Sequence, residues 1–284
     1  MKSRYILNSV AAGLAVLVVA PATASSILPF FFSTGNPDGK IGTASRPAAT
    51  GVLETETADD FVTTLATTIN RATFIGLLPT GAPLTSVSDV EIELYHVFPV
   101  DSNPPSGNVP TRMNSPSDHE FAAFDAGKGD IGVTTTLLNP SFGVANTVIN
   151  GINKSPGQFT GGDGPATGEE VLFTITFNSP ITLSADHYYF RPEVGLTSGN
   201  FLWLSAPRPI VAPGTPFAPD LQSWIRNANL APDWLRIGSD ITGQGPFNAT
   251  FSLSGTQETP EPSTWLLVIG GLPLAALLRW RKTP

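Results

Sequence analysis

The sequence contains no cysteine, few histidines and little charge. Its 284 residues include no Cys and three His, and charged residues make up only 13%. The absence of cysteine excludes disulfide bonds, thiolate metal sites, thiol nucleophiles and cofactors attached through cysteine. What the sequence does contain is 27 Gly, 27 Pro and 17 Phe, a composition that favours many turns around an aromatic core.

The scarcity of histidine also limits the chemistry that the chain can perform. His96, His119 and His187 are 23 and 68 residues apart, and they form neither an H-x-H nor an H-E-x-x-H motif. A transition-metal site needs several converging ligands, and this spacing does not indicate one. No G-x-S-x-G motif occurs either, so the nucleophile elbow of a serine hydrolase is missing.

Positive charge is scarce in the middle of the chain. Residues 25–259 hold 10 Lys and Arg against 22 Asp and Glu, which gives a formal charge of −12. Nucleic acid and anionic lipid both attract basic surfaces, so this acidity argues against nucleic-acid partners and anionic membrane surfaces. It is compatible with solubility and with binding of divalent cations.

The N-terminus has the three parts of a secretory signal. Lys2 and Arg4 form a positive segment, and residues 10–20 are an apolar run of eleven residues, too short to span a bilayer comfortably. We expect signal peptidase to cleave after Ala24, so that residues 1–24 form a removable signal helix. The cleavage site comprises Ala22, Ala24 and Ser25.

The C-terminus has a different three-part arrangement over residues 260–284. Pro260, Glu261 and Pro262 precede an uncharged apolar run of fourteen residues, 265–278. Lys and Arg beyond an apolar run keep the C-terminus in the cytoplasm, so we expect a hydrophobic helix with the preceding domain outside. The basic residues that close the chain are Arg279, Arg281 and Lys282.

This tail resembles the PEP-CTERM sorting signal of Gram-negative bacteria. The resemblance implies recognition at Pro260–Pro262 by an exosortase, with removal of the tail after transient anchoring in the inner membrane. Proteins with this signal are typical of bacteria that produce exopolysaccharide or biofilm matrix. Residues 54–254 also resemble mature regions of such proteins, for example at Trp203–Pro209, and that likeness implies no particular activity.

The middle of the chain, residues 25–259, predicts one extracytoplasmic all-β domain. Apolar side chains alternate with other residues over 90–98, 171–177 and 247–253, the period of half-buried strands. One-sided strands predict a two-sheet sandwich of jelly-roll type. We expect one helix in this region, Asp220–Asn229, with Asp220 as its N-cap.

Acidic residues in turns and at strand edges suggest a calcium site. Hard cations prefer clustered carboxylates and carbonyls, although no D-x-[DN]-x-[DN]-G loop occurs and ordinary solvated acids would give the same pattern. The candidate ligands are Asp59, Asp60, Asp163, Glu169 and Glu170.

Aromatic and acidic side chains offer two further hypotheses. Trp203, Trp224 and Trp234 lie near Pro-rich loops and could stack on a sugar, or they could pack in the core. Glu91 and Glu93 are two residues apart and so share one strand face, where they could act as the paired carboxylates of a glycoside hydrolase.

We therefore expect an exported, exosortase-sorted protein of the cell surface or extracellular matrix. The missing catalytic motifs favour a non-enzymatic module that interacts with exopolysaccharide or has a structural role. A secreted glycan or ester hydrolase is the alternative.

Overall fold

The computed structural model describes residues 27–103, 108–152, 159–207 and 222–259. The predicted signal and its cleavage site, residues 1–25, and the sorting tail, residues 260–284, lie outside the described residues. Ile27–Thr259 forms one compact unit. Within the described ranges, no helix is long and apolar enough to cross a membrane.

Fifteen strands and two short helices make up the described part of the chain. The helices are a 3-10 turn at Leu84–Ser86 and a π-helix at Ile237–Thr242. The strands are β1 (Ile27–Ser33), β2 (Ile41–Ala44), β3 (Thr55–Thr63), β4 (Thr67–Pro79), β5 (Val87–Val97), β6 (Pro116–Asp125), β7 (Ile131–Val144), β8 (Asn146–Val148), β9 (Ala166–Leu183), β10 (Asp186–Leu196), β11 (Leu202–Ala206), β12 (Trp224–Asn227), β13 (Leu235–Arg236), β14 (Asn248–Ala249) and β15 (Phe251–Glu258).

These strands form two sheets, and neighbouring strands within each sheet are mostly antiparallel. The nine-stranded sheet has the order β1-β15-β4-β11-β2-β8, with β9 on the other side of β4, β7 beside β9, and β14 beside β11. The six-stranded sheet has the order β13-β12-β3-β10-β5-β6. Only β2 and β8 pair in parallel among the described strands. The predicted all-β, two-sheet sandwich is confirmed.

The main core lies between the inner faces of the two sheets and is strongly aromatic. Phe74 stacks on Phe173 with ring centroids 4.7 Å apart, and Phe190 stacks on Phe251 at 5.1 Å. Trp203 is fully buried in the same cluster. Large rings from alternating positions of facing strands fill this layer, as the period-two sequence pattern predicts.

The prediction of a helix over Asp220–Asn229 is wrong for the residues that the structure describes. Trp224–Asn227 is strand β12, which pairs antiparallel with β3. Trp224 and Ile225 are both buried although they are adjacent, because a strand between two packed layers directs successive side chains into different layers. Burial on both faces removes the alternation that would have marked the strand.

Candidate functional site

The outer face of the six-stranded sheet carries a buried group of charged residues. Such a face normally meets water, but here it is largely covered and its polar side chains pair with one another. Carboxylates outnumber guanidinium groups in this group, which we name the ionic cluster. It consists of Arg191, Arg226, Tyr95, Glu54, Glu56, Glu91, Glu93 and Glu193.

Cross-strand register places Arg191 at the centre of the ionic cluster. It lies directly opposite Glu93, and Glu193 lies opposite Glu91. Its Nη1 atom is 3.1 Å from Glu93 and 3.9 Å from Glu91, and its Nη2 atom is 3.3 Å from Glu54. Nη2 also donates to the Glu193 carboxylate. The guanidinium side chain is only 1% exposed, so these acids replace its water shell.

Arg226 forms the second half of the ionic cluster. It lies opposite Glu56 in the β12–β3 pair, and its Nε donates to the Glu56 carboxylate at 2.6 Å. Its Nη2 donates to the Tyr95 hydroxyl at 3.1 Å, and that hydroxyl donates to Glu93. The guanidinium also lies 4.3 Å from the ring centroid of Trp234. Hydrogen bonds from Arg226 to Tyr95 and from Tyr95 to Glu93, followed by the ion pair of Glu93 with Arg191, therefore connect the two arginines.

Burial changes the protonation of this cluster. It raises the pKa of Glu193 to about 8, although the Arg191 charge opposes the shift. Burial likewise raises the pKa of Glu91 and of Glu93, again against the effect of Arg191. Burial alone would lower the pKa of Arg191, but the surrounding glutamates raise it, so this group stays charged. Raised carboxyl pKa values beside a fixed cation are also found at functional sites.

The geometry limits what Glu91 and Glu93 can do. They share one face of β5 as predicted, and both contact Nη1 of Arg191. A glycosidic bond has to lie between the two carboxylates of a hydrolase, and here the guanidinium contacts both of them. The arrangement is that of a neutralised structural cluster, open to solvent mainly at Glu54, whose side chain is 41% exposed.

The first pair of predicted calcium ligands is committed to other partners. Asp59 accepts hydrogen bonds from Ser223 Oγ at 3.0 Å and from the Ala249 amide at 2.9 Å. Asp60 lies 2.7 Å from His187 Nε2. Burial and the neighbouring Asp60 charge raise the pKa of Asp59 well above its usual range. The two acids do not converge on one cation, because adjacent strand residues point to opposite faces.

The remaining predicted calcium ligands are also separated. Asp163 accepts backbone N–H groups from residues 149–151 at 2.6–3.4 Å, which ties a loop together. Glu169 and Glu170 are neighbours on β9 and point to opposite faces. Among the described residues, no group of three or more His, Asp or Glu side chains could hold a metal ion. The structure therefore does not bring these acids together into one set of ligands.

The predicted glycan-stacking tryptophans are core residues. Trp203 and Trp224 are fully buried and Trp234 is 1% exposed. The Trp203 indole donates to the Thr250 carbonyl at 2.7 Å, and the Trp234 indole donates to the Ser117 carbonyl at 3.2 Å. A ring buried on both faces cannot stack on a sugar, so the packing alternative explains all three.

A surface cavity at the ends of β5 and β6 was not predicted as a site. It has a volume of about 460 Å³. Its lining combines one partly buried aromatic ring with polar side chains that are mostly exposed. We name it the Phe121 cavity, and it is lined by Asp101, Ser102, Asn103, His119, Glu120 and Phe121.

Two contacts fix the aromatic side of the Phe121 cavity. The Phe121 ring stacks on the His96 imidazole with centroids 4.3 Å apart. His96 Nδ1 in turn lies 2.5 Å from Asp101 Oδ2. Asp101 has a φ of 52°, a left-handed conformation that is uncommon for a residue with a side chain. Ring, imidazole and carboxylate therefore form one connected wall.

A buried ion pair fixes the polar side of the Phe121 cavity. Asp118 accepts the Asn103 amide at 2.9 Å and donates its own amide to Ser102 Oγ at 2.9 Å. Arg112 pairs with the Asp118 carboxylate and donates to the Asn103 carbonyl at 2.8 Å. The loop is thus attached to β6 through its backbone and through the Ser102 hydroxyl. In the sequence, the only signal was the long Pro-rich loop that begins at Pro99.

Comparison with known proteins adds no further assignment. No protein-family model matches the sequence, and no curated protein or solved structure matches it.

Proposed function

We propose that this chain is an exported, non-enzymatic sandwich protein of jelly-roll type that binds exopolysaccharide or another surface glycan. The observation that carries the proposal is the Phe121 cavity, where one aromatic ring is surrounded by carboxylate, amide, hydroxyl and imidazole groups. Binding sites for small polar ligands combine an apolar surface with a few placed polar groups in this way.

The chemistry of the cavity suits a sugar ring. The Phe121 ring, which stacks on His96, gives the cavity an apolar surface that can contact the C–H groups of a pyranose, an interaction that does not depend on charge. Asp101 and Glu120 can accept hydrogen bonds from sugar hydroxyls, and Asn103 can both donate and accept. The Asp118–Arg112 pair holds the loop before the ligand arrives, which reduces the entropy lost on binding.

Export is supported by the sequence of the two ends. The signal over residues 1–24 and the sorting tail over residues 260–284 lead to secretion, transient anchoring in the inner membrane and processing by signal peptidase and exosortase. The final location in this proposal is the cell surface or the extracellular matrix, where an uncleaved exopolysaccharide is the natural ligand.

A retention experiment tests glycan binding. The exported protein is passed over the immobilised exopolysaccharide of the producing bacterium, and Phe121→Ala is expected to weaken retention by about tenfold, the effect of losing one aromatic contact. Phe31→Ala is the matched control, because Phe31 is an exposed ring on a different strand, β1. No retention of the unaltered protein, or equal retention of Phe121→Ala, would contradict the proposal.

One observation favours the hydrolase alternative, and a second assay separates it. The raised pKa values that burial gives Glu91 and Glu93 would suit a general acid. The release of reducing ends or free acid from glycans and esters is measured for the unaltered protein. A hydrolase should lose that activity in Glu91→Gln, Glu93→Gln or His187→Gln, whereas a binding module shows none to lose.

A further inference from the structure

The two ends of the described chain meet at one corner of the sandwich. β1 and β15 pair antiparallel, with Ile27 directly opposite Glu258. Only Thr259 separates Glu258 from the sorting motif that begins at Pro260. The predicted signal-cleavage site precedes Ile27 by two residues. Both processing sites are therefore connected to the same pair of strands by very short segments.

This corner exposes an apolar strand. Ile27 is 66% exposed, Leu28 is 42% exposed and Phe31 is 72% exposed. β1 contains no charged residue, and it pairs with no strand other than β15 among the described residues. An uncharged, apolar edge strand in water is an association hazard unless something covers it. We name Ile27, Leu28, Pro29 and Phe31 the apolar corner.

The length of the following chain indicates what covers the apolar corner. Seven residues lead from Glu258 to Trp265, where the apolar run of the tail begins. A fully extended chain of that length spans at most about 25 Å. While the tail is in a bilayer, the Ile27 end of the corner, which lies opposite Glu258, therefore stays within about that distance of the membrane surface. Its local concentration at the lipid is then high without any separate binding event.

Charge favours the same orientation. The domain is acidic, and most of its surface would be repelled by an anionic membrane. Across the sheet, Phe31 lies opposite Ser254 on β15, and Ser254 lies opposite Arg71 on β4, which is exposed. This row thus joins an apolar ring to a basic side chain, a combination that is favourable at the membrane–water interface.

We propose that the apolar corner rests on the lipid surface of the membrane while the sorting tail is still attached. This inference depends on the tail predicted in the proposed function, but not on glycan binding. The corner orients the sandwich so that the β1–β15 edge and the sorting motif face the membrane. Removal of the tail then releases a domain whose corner has only weak affinity for lipid.

The absence of cysteine allows a site-specific test. Pro29→Cys and Thr134→Cys are introduced separately into the full chain, labelled with an environment-sensitive fluorophore and reconstituted into phosphatidylcholine vesicles that contain a lipid-borne quencher. Pro29 shares an exposed face with Ile27 and Phe31, and Thr134 is an exposed control on β7, the opposite edge of the same sheet. We expect the label at position 29 to lose most of its fluorescence and the label at position 134 to keep most of it.

The outcomes are distinct. Ile27→Ser combined with Phe31→Ser should restore the fluorescence at position 29 if the corner contacts lipid. If the protein floats with the vesicles but the labels at positions 29 and 134 are quenched equally, the proposed lipid contact of the corner is wrong. Anchoring by the tail is then still supported. If the label quenches itself and dilution with unlabelled protein removes this effect, then β1 contacts a second copy of the chain instead of lipid. This outcome also overturns the proposal. Failure to float would remove the anchor on which it depends, whatever the result of the glycan assay.

Discussion

The two faces of β10 are buried to the same degree and stabilised in opposite ways. Phe190 is fully buried on the inner face, where it stacks on Phe251 at 5.1 Å. The next residue, Arg191, is 1% exposed on the outer face, where it is held by carboxylates. Burial alone therefore does not tell which kind of interaction stabilises a strand.

The difference determines which changes each face tolerates. The inner face is stabilised by apolar burial, which is non-directional and accepts side chains of similar volume. The outer face depends on charge balance, since each carboxylate compensates part of one buried cation. Removing the shared arginine of the outer set leaves several buried acids without a cation, whereas shortening an inner side chain leaves a cavity.

Arg191→Met should produce the largest effect on stability. The substitution keeps an unbranched apolar side chain but removes the cation that Glu91, Glu93 and Glu193 share. We expect the free energy of unfolding in urea to fall by about 3–5 kcal/mol, the usual cost of breaking a buried ion pair from one side.

Two further variants decide whether charge is the cause. Arg71→Met, an exposed arginine on β4, should change stability by less than about 0.5 kcal/mol. Adding Glu193→Leu to Arg191→Met should recover part of the loss, because the most buried carboxyl group that has lost its partner is then replaced by an apolar side chain. No recovery would mean that the outer face is stabilised by packing, like the inner face.

Phe190→Leu should have a smaller effect on the inner face. The two side chains differ moderately in volume, and Phe190 has the aromatic neighbours Phe74 and Phe251 on the facing sheet, which can shift toward the gap. We expect a loss of about 1–1.5 kcal/mol in the same urea measurement. A loss as large as that of Arg191→Met would show that the inner face is as intolerant of change as the ionic cluster.

The sequence predicts the inner face of the sandwich better than the outer face. The alternation over residues 171–177 correctly identifies part of β9, because apolar burial leaves a local period of two. It also places Glu91 and Glu93 on one strand face. Their partner Arg191 is almost a hundred residues away, and only the β5–β10 register brings it opposite Glu93. Cross-strand pairing of this kind has no local signature.

The same reasoning applies to the rest of the site. Proximity to Pro-rich loops left both stacking on a sugar and packing in the core open for the tryptophans, and a second apolar layer on the outer face buries Trp224 and Trp234 together with Tyr95. The Phe121 cavity was missed because its lining comes from a loop and from the edge strand β6, which shows no clear alternation.

The pH dependence of stability tests the protonation of the outer face. Burial raises the pKa of Glu193 from the ordinary 4.5 to about 8, against the effect of Arg191. The folded state therefore binds this proton more tightly than the unfolded state. Its contribution to stability is complete below the unfolded pKa and is lost as the pH rises through about 8.

Glu193→Gln tests this titration because the amide keeps the size of the side chain and cannot ionise. The unaltered protein should lose stability between about pH 5 and about pH 8, and Glu193→Gln should flatten that slope in urea unfolding. Some slope remains, since burial also raises the pKa of Glu93. Asp125→Asn is the control: burial opposes the shift, but hydrogen bonds from Lys128 hold the Asp125 pKa below its usual value, outside this range. An unchanged slope in Glu193→Gln would show that Glu193 has the same protonation state in the folded and the unfolded protein over this range. The contrast between the two faces of β10 would then rest on the arginine alone.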